Sequence, residues 1–173
     1  MNKVSIIITG HKSAGKSTLC WQVLKYLYIL GIKAAGVITL QNDKKWFYII
    51  SLKTKIPFEA GENENFVPIG HFRVHKENLK KVVLNIRSNL GCEFLFIDEI
   101  GLLELQGEGY HPILDAAISR EKNNIFVVKK RILSDFQDQY PSTKRYHIVD
   151  VRNRQITEPF EKIKILIENH IRH

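Results

Sequence analysis

Two short stretches hold the residues best equipped for chemistry. From Gly10 to Ser17 the chain reads Gly-His-Lys-Ser-Ala-Gly-Lys-Ser, a Gly-x-x-x-x-Gly-Lys-Ser spacing. The β-branched run Ile6-Ile7-Ile8 precedes it and a helical pattern begins at Lys16. Strand, glycine loop and helix in that order form the Walker A context in which this spacing cradles a polyphosphate. Polyphosphate is a concentrated anion, so the loop must aim backbone N–H groups at one point, and glycines let the backbone come close. The helix start adds unpaired N–H donors and the positive end of a dipole. The expected nucleotide-contacting set is Gly10, His11, Lys12, Ser13, Ala14, Gly15, Lys16, Ser17 and Thr18. His11 and Lys12 contribute backbone and turn their side chains to solvent; Thr18 assists at the α-phosphate. Lys16 brings a full positive charge to the β- and γ-phosphates, and the Ser17 hydroxyl is a ligand for Mg²⁺. Ser13 stands where many such loops carry glycine, which makes a left-handed turn there more strained.

The second stretch is Glu93-Phe94-Leu95-Phe96-Ile97-Asp98-Glu99, a short apolar run ending in two acids. A strand buried on both faces of a parallel sheet reads as continuous apolar sequence, and its carboxyl end opens onto the ligand crevice. An apolar strand ending in Asp is the Walker B pattern, with Asp98 holding Mg²⁺ through a water. Phosphate oxygens repel an incoming nucleophile, so the metal and Lys16 must neutralise charge as the bond breaks. Glu99 is then placed to orient and deprotonate an attacking water. Alone, the pair reads equally well as surface acids; beside the glycine loop, the functional reading prevails.

These stretches need elements to position them. Lys16 to Leu30 suits a largely buried helix ending at Gly31, with Cys20 as a reduced core thiol. Lys33–Leu40 and Trp46–Leu52 read as strands of a hairpin about the turn Gln41–Lys45, and Lys53–Lys55 as a second turn. The stretch with Pro57, Gly61, Pro68 and Gly70 reads as short strands and a mobile loop. Lys76–Asn89 is a helix, and Pro112 sits in the first turn of another that runs to about Arg120. Asn123-Asn124 reads as a turn, Ile125–Val128 as a strand, Leu133–Gln139 as a short helix and Arg145–Val151 as the last strand. Thr157 caps the final helix, with Glu158 and Glu161 in its first turn. Strands alternating with helices, apart from one hairpin insertion, imply an α/β sandwich with a mainly parallel central sheet. No repeat, low-complexity run or linker divides it, so residues 1–173 are expected to form one domain.

Composition sets outer limits. A chain of 173 residues with 44% hydrophobic and 25% charged residues can bury a core. No apolar stretch approaches a membrane span, and Met1-Asn2-Lys3 leads straight into the first strand, leaving no room for a signal peptide. Cys20 and Cys92 make no metal-binding spacing, and the histidines form no cluster suited to metal or acid–base work, so a cytoplasmic location is expected. The net charge of +8 raises nucleic-acid binding. The basic residues are scattered in short groups such as Lys44-Lys45 and Lys129-Lys130-Arg131 with no nucleic-acid module beside them, so they are read as a solvated surface. The sequence leaves a protein partner and the oligomeric state open.

Ile97-Asp98-Glu99-Ile100-Gly101-Leu102-Leu103-Glu104-Leu105 resembles the DEIGxxEL signature of the THEP1-type nucleoside-triphosphatases. The glycine loop, the Gly36-Val37-Ile38-Thr39 strand with its hairpin, and Val149–Arg154 resemble that family in order and spacing. The resemblance implies a RecA-like P-loop NTPase fold, a three-layer sandwich, that hydrolyses ATP, GTP and other NTPs with Mg²⁺ and loose base selectivity. It makes Glu99 the catalytic base and matches Glu104 to a second signature carboxylate of underived role. Leu102-Leu103 replaces the usual Pro-Met. Asn153-Arg154 matches an Asn-Arg pair of the family, read either as a base or ribose contact through Asn153 or as a structural loop contact. Lys129, at the end of the Ile125–Val128 strand, is either a cation that reaches the γ-phosphate as an arginine finger does or a solvated side chain. Rival functions are a kinase passing the γ-phosphate to a small acceptor and a nucleotide-dependent switch serving a partner.

Overall fold

The computed structural model describes residues 3–69, 72–120 and 122–172. Among these described residues nine strands and six α-helices follow one another: β1 (Ser5–Gly10), α1 (Lys16–Ile29), β2 (Ala34–Gln41), β3 (Lys45–Ile49), β4 (Thr54–Pro57), β5 (Phe66–Ile69), β6 (Phe72–His75), α2 (Lys76–Ser88), β7 (Phe94–Ile100), α3 (Leu102–Leu105), α4 (His111–Ser119), β8 (Asn123–Val128), α5 (Leu133–Gln139), β9 (His147–Val151) and α6 (Thr157–Ile171). Seven of the strands form one sheet in the order β4-β3-β2-β7-β8-β1-β9, and β5 pairs with β6 separately. The five strands from β2 to β9 in that order run parallel, and β3 and β4 extend the edge antiparallel.

Alternation along each strand divides the core into two layers. Ile7, Val37, Leu95, Ile97, Phe126 and Val128 face one side, packed with α2, α4 and α5, while Ile6, Ile8, Ile38, Phe94, Phe96 and Val127 face the other, packed with α1 and α6. Helices on both faces of a mainly parallel sheet make the expected three-layer sandwich. Cys20 is fully buried in the second layer, and burial pushes its thiol well above its ordinary value. Strand β2 lies against β7 so closely that a Cβ on Gly36, at φ +109°, would fall 1.9 Å from the Phe96 carbonyl oxygen. Only glycine fits there.

Several local expectations need correction. Lys45 is not a turn residue; it opens β3 and is buried, because β3 places Lys45, Phe47 and Ile49 on its covered face. That strand stops at Ile49, and Thr54 and Lys55 belong to β4 rather than to a turn. Asn123 and Asn124 lie inside β8. The Asn123 Oδ1 accepts the Val4 N–H at 2.8 Å and the Asn124 Nδ2 donates to the Ala117 carbonyl at 2.8 Å, so both side chains are engaged inside the sheet, although Asn124 Oδ1 is buried without a partner. The last strand begins at His147 because Pro141–Arg145 forms a 3₁₀ turn. Thr157 is the first helical residue of α6, preceded by Ile156 at the cap with no side-chain hydrogen bond. The 57–69 stretch holds the end of β4 and the whole of β5, short strands as expected, and Gly70 lies outside the described residues.

Candidate active site

The glycine loop joins the carboxyl end of β1 to the amino end of α1, where unpaired helix N–H groups converge. Its shape rests on three left-handed or extended positions: Gly10 at φ +148°, Ser13 at +58° and Gly15 at +101°. A Cβ on Gly10 would sit 2.4 Å from the Val151 carbonyl oxygen, so β9 leaves room only for glycine. Ser13 does adopt the strained left-handed turn expected of it. Lys16 folds back over the loop, its Nζ donating to the carbonyls of Gly10 at 3.0 Å and His11 at 2.6 Å. Burial lowers the Lys16 pKa, opposed by the negative charges of Glu99, Asp98 and Asp150. His11, Lys12, Ser13 and Thr18 are exposed, whereas Ala14 is buried.

The segment after β9 braces the loop from outside. Asn153 and Arg154 take φ of +49° and +59°, and Arg152 bridges to Gln155, making a tight turn. The Arg154 N–H donates to the Ala14 carbonyl at 3.1 Å, and its Nε donates to the Ser13 carbonyl at 3.4 Å. The structural reading of the Asn-Arg pair therefore holds for Arg154. Asn153 is exposed at the tip of that turn.

Two strand tips away, the β7–β8 register slips between Ile97 and Ile100, and Glu99 takes φ +73°. This bulge sends the two acids to different environments. Asp98 is 1% exposed; its Oδ2 accepts the Thr39 N–H at 2.9 Å and the Ser17 side chain approaches the same carboxylate. Burial, then the Glu99 charge, raises the Asp98 pKa to about 6, against the pull of Thr39, Ser17 and Lys45. Glu99 is half-exposed, with Oε1 3.2 Å from Lys45 Nζ and Oε2 3.8 Å from Lys129 Nζ. Lys129 follows β8, the strand between those of the two motifs. Its neighbours point elsewhere: Lys130 pairs with Asp150 at 2.7 Å, and Arg131 is exposed.

The donor set fits Mg²⁺ shared with a phosphate. Asp98 Oδ1 is buried without a hydrogen-bond partner, and the Ser17 hydroxyl lies beside that carboxylate. Magnesium keeps waters and takes one or two protein oxygens plus phosphate oxygens, so a sparse set suffices. Among the described residues no group of three or more His, Cys, Asp or Glu could hold a metal alone.

Glu104 serves the architecture. It is 2% exposed, and its carboxylate accepts the Gly101 N–H at 2.6 Å and the Tyr110 N–H at 3.1 Å, tying the β7 exit to the start of α4. The sequence did not reveal that role, nor the buried pairing of Lys45 with Glu99.

Comparison with known proteins places the chain in a family. The model of a family described as NTPase matches residues 5–163. The chain is 27% identical over 141 residues to nucleoside-triphosphatase THEP1 of Methanocaldococcus jannaschii, covering 78% of this chain and 83% of the relative. It is also 27% identical over 177 aligned positions to THEP1 of Saccharolobus solfataricus, covering 98% and 94% of the two chains. The fold superposes on the crystal structure of THEP1 from Aquifex aeolicus with a TM-score of 0.71 and 18% identity, covering 94% of this chain and 99% of that one. A solution structure of a human cancer-related nucleoside triphosphatase gives 0.74 at 17% identity, with coverage of 96% and 98%. With the glycine loop, the paired acids and a family match that spans nearly all of it, the chain belongs to the NTPase family, among relatives of the THEP1 type.

Proposed function

We propose that this chain is a Mg²⁺-dependent nucleoside-triphosphate phosphohydrolase, converting NTP and water to NDP and phosphate within one catalytic domain in the cytoplasm. The observation that carries the reading is the convergence at one sheet edge: Ser17 of the glycine loop beside the buried Asp98, with Glu99 next in the chain. In this mechanism the loop N–H groups of residues 10–18 bind the phosphate chain. Lys16 exchanges its contacts with the Gly10 and His11 carbonyls for β- and γ-phosphate oxygens. Ser17 and Asp98 would hold Mg²⁺, and the charge it supplies there would offset that of the transferring phosphoryl group. Glu99 accepts the proton of the attacking water. Lys129, beside Glu99, supplies a second cation for the γ-phosphate, and Asn153 at the clamp turn contacts the nucleoside. Tolerance for the base is supported by the general activity in the relatives' names, which specify no base.

Among the described residues no helix is long and apolar enough to cross a membrane. The test is a phosphate-release assay over all NTPs and dNTPs, with and without Mg²⁺, alongside a search for phosphorylated acceptors. Release from several NTPs that needs Mg²⁺ and no acceptor is the expected result. Phosphate appearing only on an acceptor would replace the reading with a kinase, and turnover seen only with an added protein would replace it with a switch.

A further inference from the structure

We propose that Lys45, carried into the site by the β3–β4 insertion, is a positioning residue that fixes the carboxylate of Glu99 to take the proton of the water that attacks the γ-phosphate. This deepens the hydrolase reading and rests on Glu99 being its base. A lysine side chain only 6% exposed calls for a reason, because ammonium groups are rarely buried unless paired. Here the Nζ lies 4.2 Å from the Phe58 ring centroid and 4.5 Å from that of Phe72, with Glu99 Oε1 at 3.2 Å. Two ring faces and one carboxylate thus hold the ammonium, and attraction to the rings is strengthened by desolvation.

The two oxygens of Glu99 are engaged unequally. Oε1 belongs to the enclosed Lys45, while Oε2 meets Lys129 at 3.8 Å, on a side chain 34% exposed. The Lys129 contact is the one a γ-phosphate can draw away, which frees Oε2 for water while Lys45 keeps the carboxylate in its rotamer. Beside them, a cavity of about 30 Å³ bordered by Lys45, Phe58, Phe72, Glu99, Gly101 and Lys129 has room for one water. Among the described residues no backbone N–H donates to the Glu99 carboxylate, in contrast to Glu104 five residues later, which accepts two.

The test is a double-mutant cycle of Lys45→Met with Glu99→Gln, reading single-turnover phosphate release from Mg·ATP and nucleotide affinity. Lys45→Met is expected to slow turnover by at least about tenfold with affinity within about threefold of wild type, and to add no further loss in the Glu99→Gln background. Lys45→Arg should recover part of the rate. A second variant, Phe72→Leu, keeps the charge but opens one wall of the box and should slow turnover in the same direction by a smaller factor. Wild-type turnover in Lys45→Met, an equal loss in both backgrounds, or a matching loss of affinity would overturn the proposal. Failure of the base assignment is separate, showing as undiminished hydrolysis in Glu99→Gln alone, and failure of the hydrolase reading shows as no acceptor-free phosphate release from wild type.

Discussion

Glu99 and Lys16 sit close enough to feel one another's charge, yet they should fail in different ways when replaced. Glu99→Gln keeps the shape and the loop, so Mg·nucleotide affinity should stay within about threefold while turnover falls by about 10²–10⁴, the usual worth of a general base. Lys16→Ala removes the cation that faces the phosphates and should weaken nucleotide binding by about 10–100-fold, in line with a charge-assisted contact. Equilibrium binding of a fluorescent nucleotide alongside phosphate release separates the two. Ser13 offers a change in the other direction. At φ +58° it bears the left-handed cost that glycine escapes, so Ser13→Gly should stabilise the protein by about 1 kcal/mol, seen as a rise of about 2–4 °C in melting temperature, with nucleotide binding retained.

Elements bring these residues together, and Glu104 shows how much hangs on one buried carboxylate. It closes the path from β7 through α3 to α4 by accepting two backbone N–H groups, and Gly109 passes so near that a Cβ there would fall 2.1 Å from its Oε1. Glu104→Ala leaves those donors without a partner, at about 1–3 kcal/mol each, and should lower the denaturation midpoint with an unchanged slope against urea. Legibility in the sequence follows the range of the forces involved. The glycine loop, the apolar β7 run and its acids were readable because each depends on neighbours within about ten positions of chain. Glu104 was marked by resemblance alone, since its partners at Gly101 and Tyr110 require a loop closure that periodicity does not describe. Lys45 followed Asn42 and Asp43 and so looked like turn punctuation, although its alternation with Phe47 and Ile49 was a strand signal. Asn123 and Asn124 misled for the same reason: amide side chains favour turns unless distant groups, here Val4, Ala117 and Tyr146, take up their hydrogen bonds.

For the molecule as a whole, the acid that best suits the site is one that opposes folding while the metal is away. The folded pKa of Asp98 is raised from 3.8 to about 6, so the native state holds that proton more tightly than the unfolded chain. The sign follows from linkage: stability associated with Asp98 is full below about pH 3.8 and is lost as pH rises through about 6. The loss is on the order of 3 kcal/mol, since one pKa unit corresponds to about 1.4 kcal/mol. Asp150, held low first by its Lys130 hydrogen bond, has the opposite dependence, but it acts below its ordinary value of 3.8 and leaves this window clear. Glu104, raised by burial, slopes the same way as Asp98, so wild type alone does not separate them. Asp98→Asn does. In EDTA, thermal unfolding of wild type should weaken from pH 4.5 to pH 7.5, whereas the variant should show a flatter profile and melt higher than wild type at pH 7.5. The same substitution should remove Mg²⁺-dependent turnover, because the amide no longer offers a charged oxygen beside Ser17. A variant that melts no higher at pH 7.5 would mean that the buried carboxylate is compensated by groups other than Thr39, Ser17 and Lys45. Higher stability joined to lost activity would show that the orphaned Asp98 oxygen is kept for a ligand, with the fold bearing the strain of its charge until that ligand arrives.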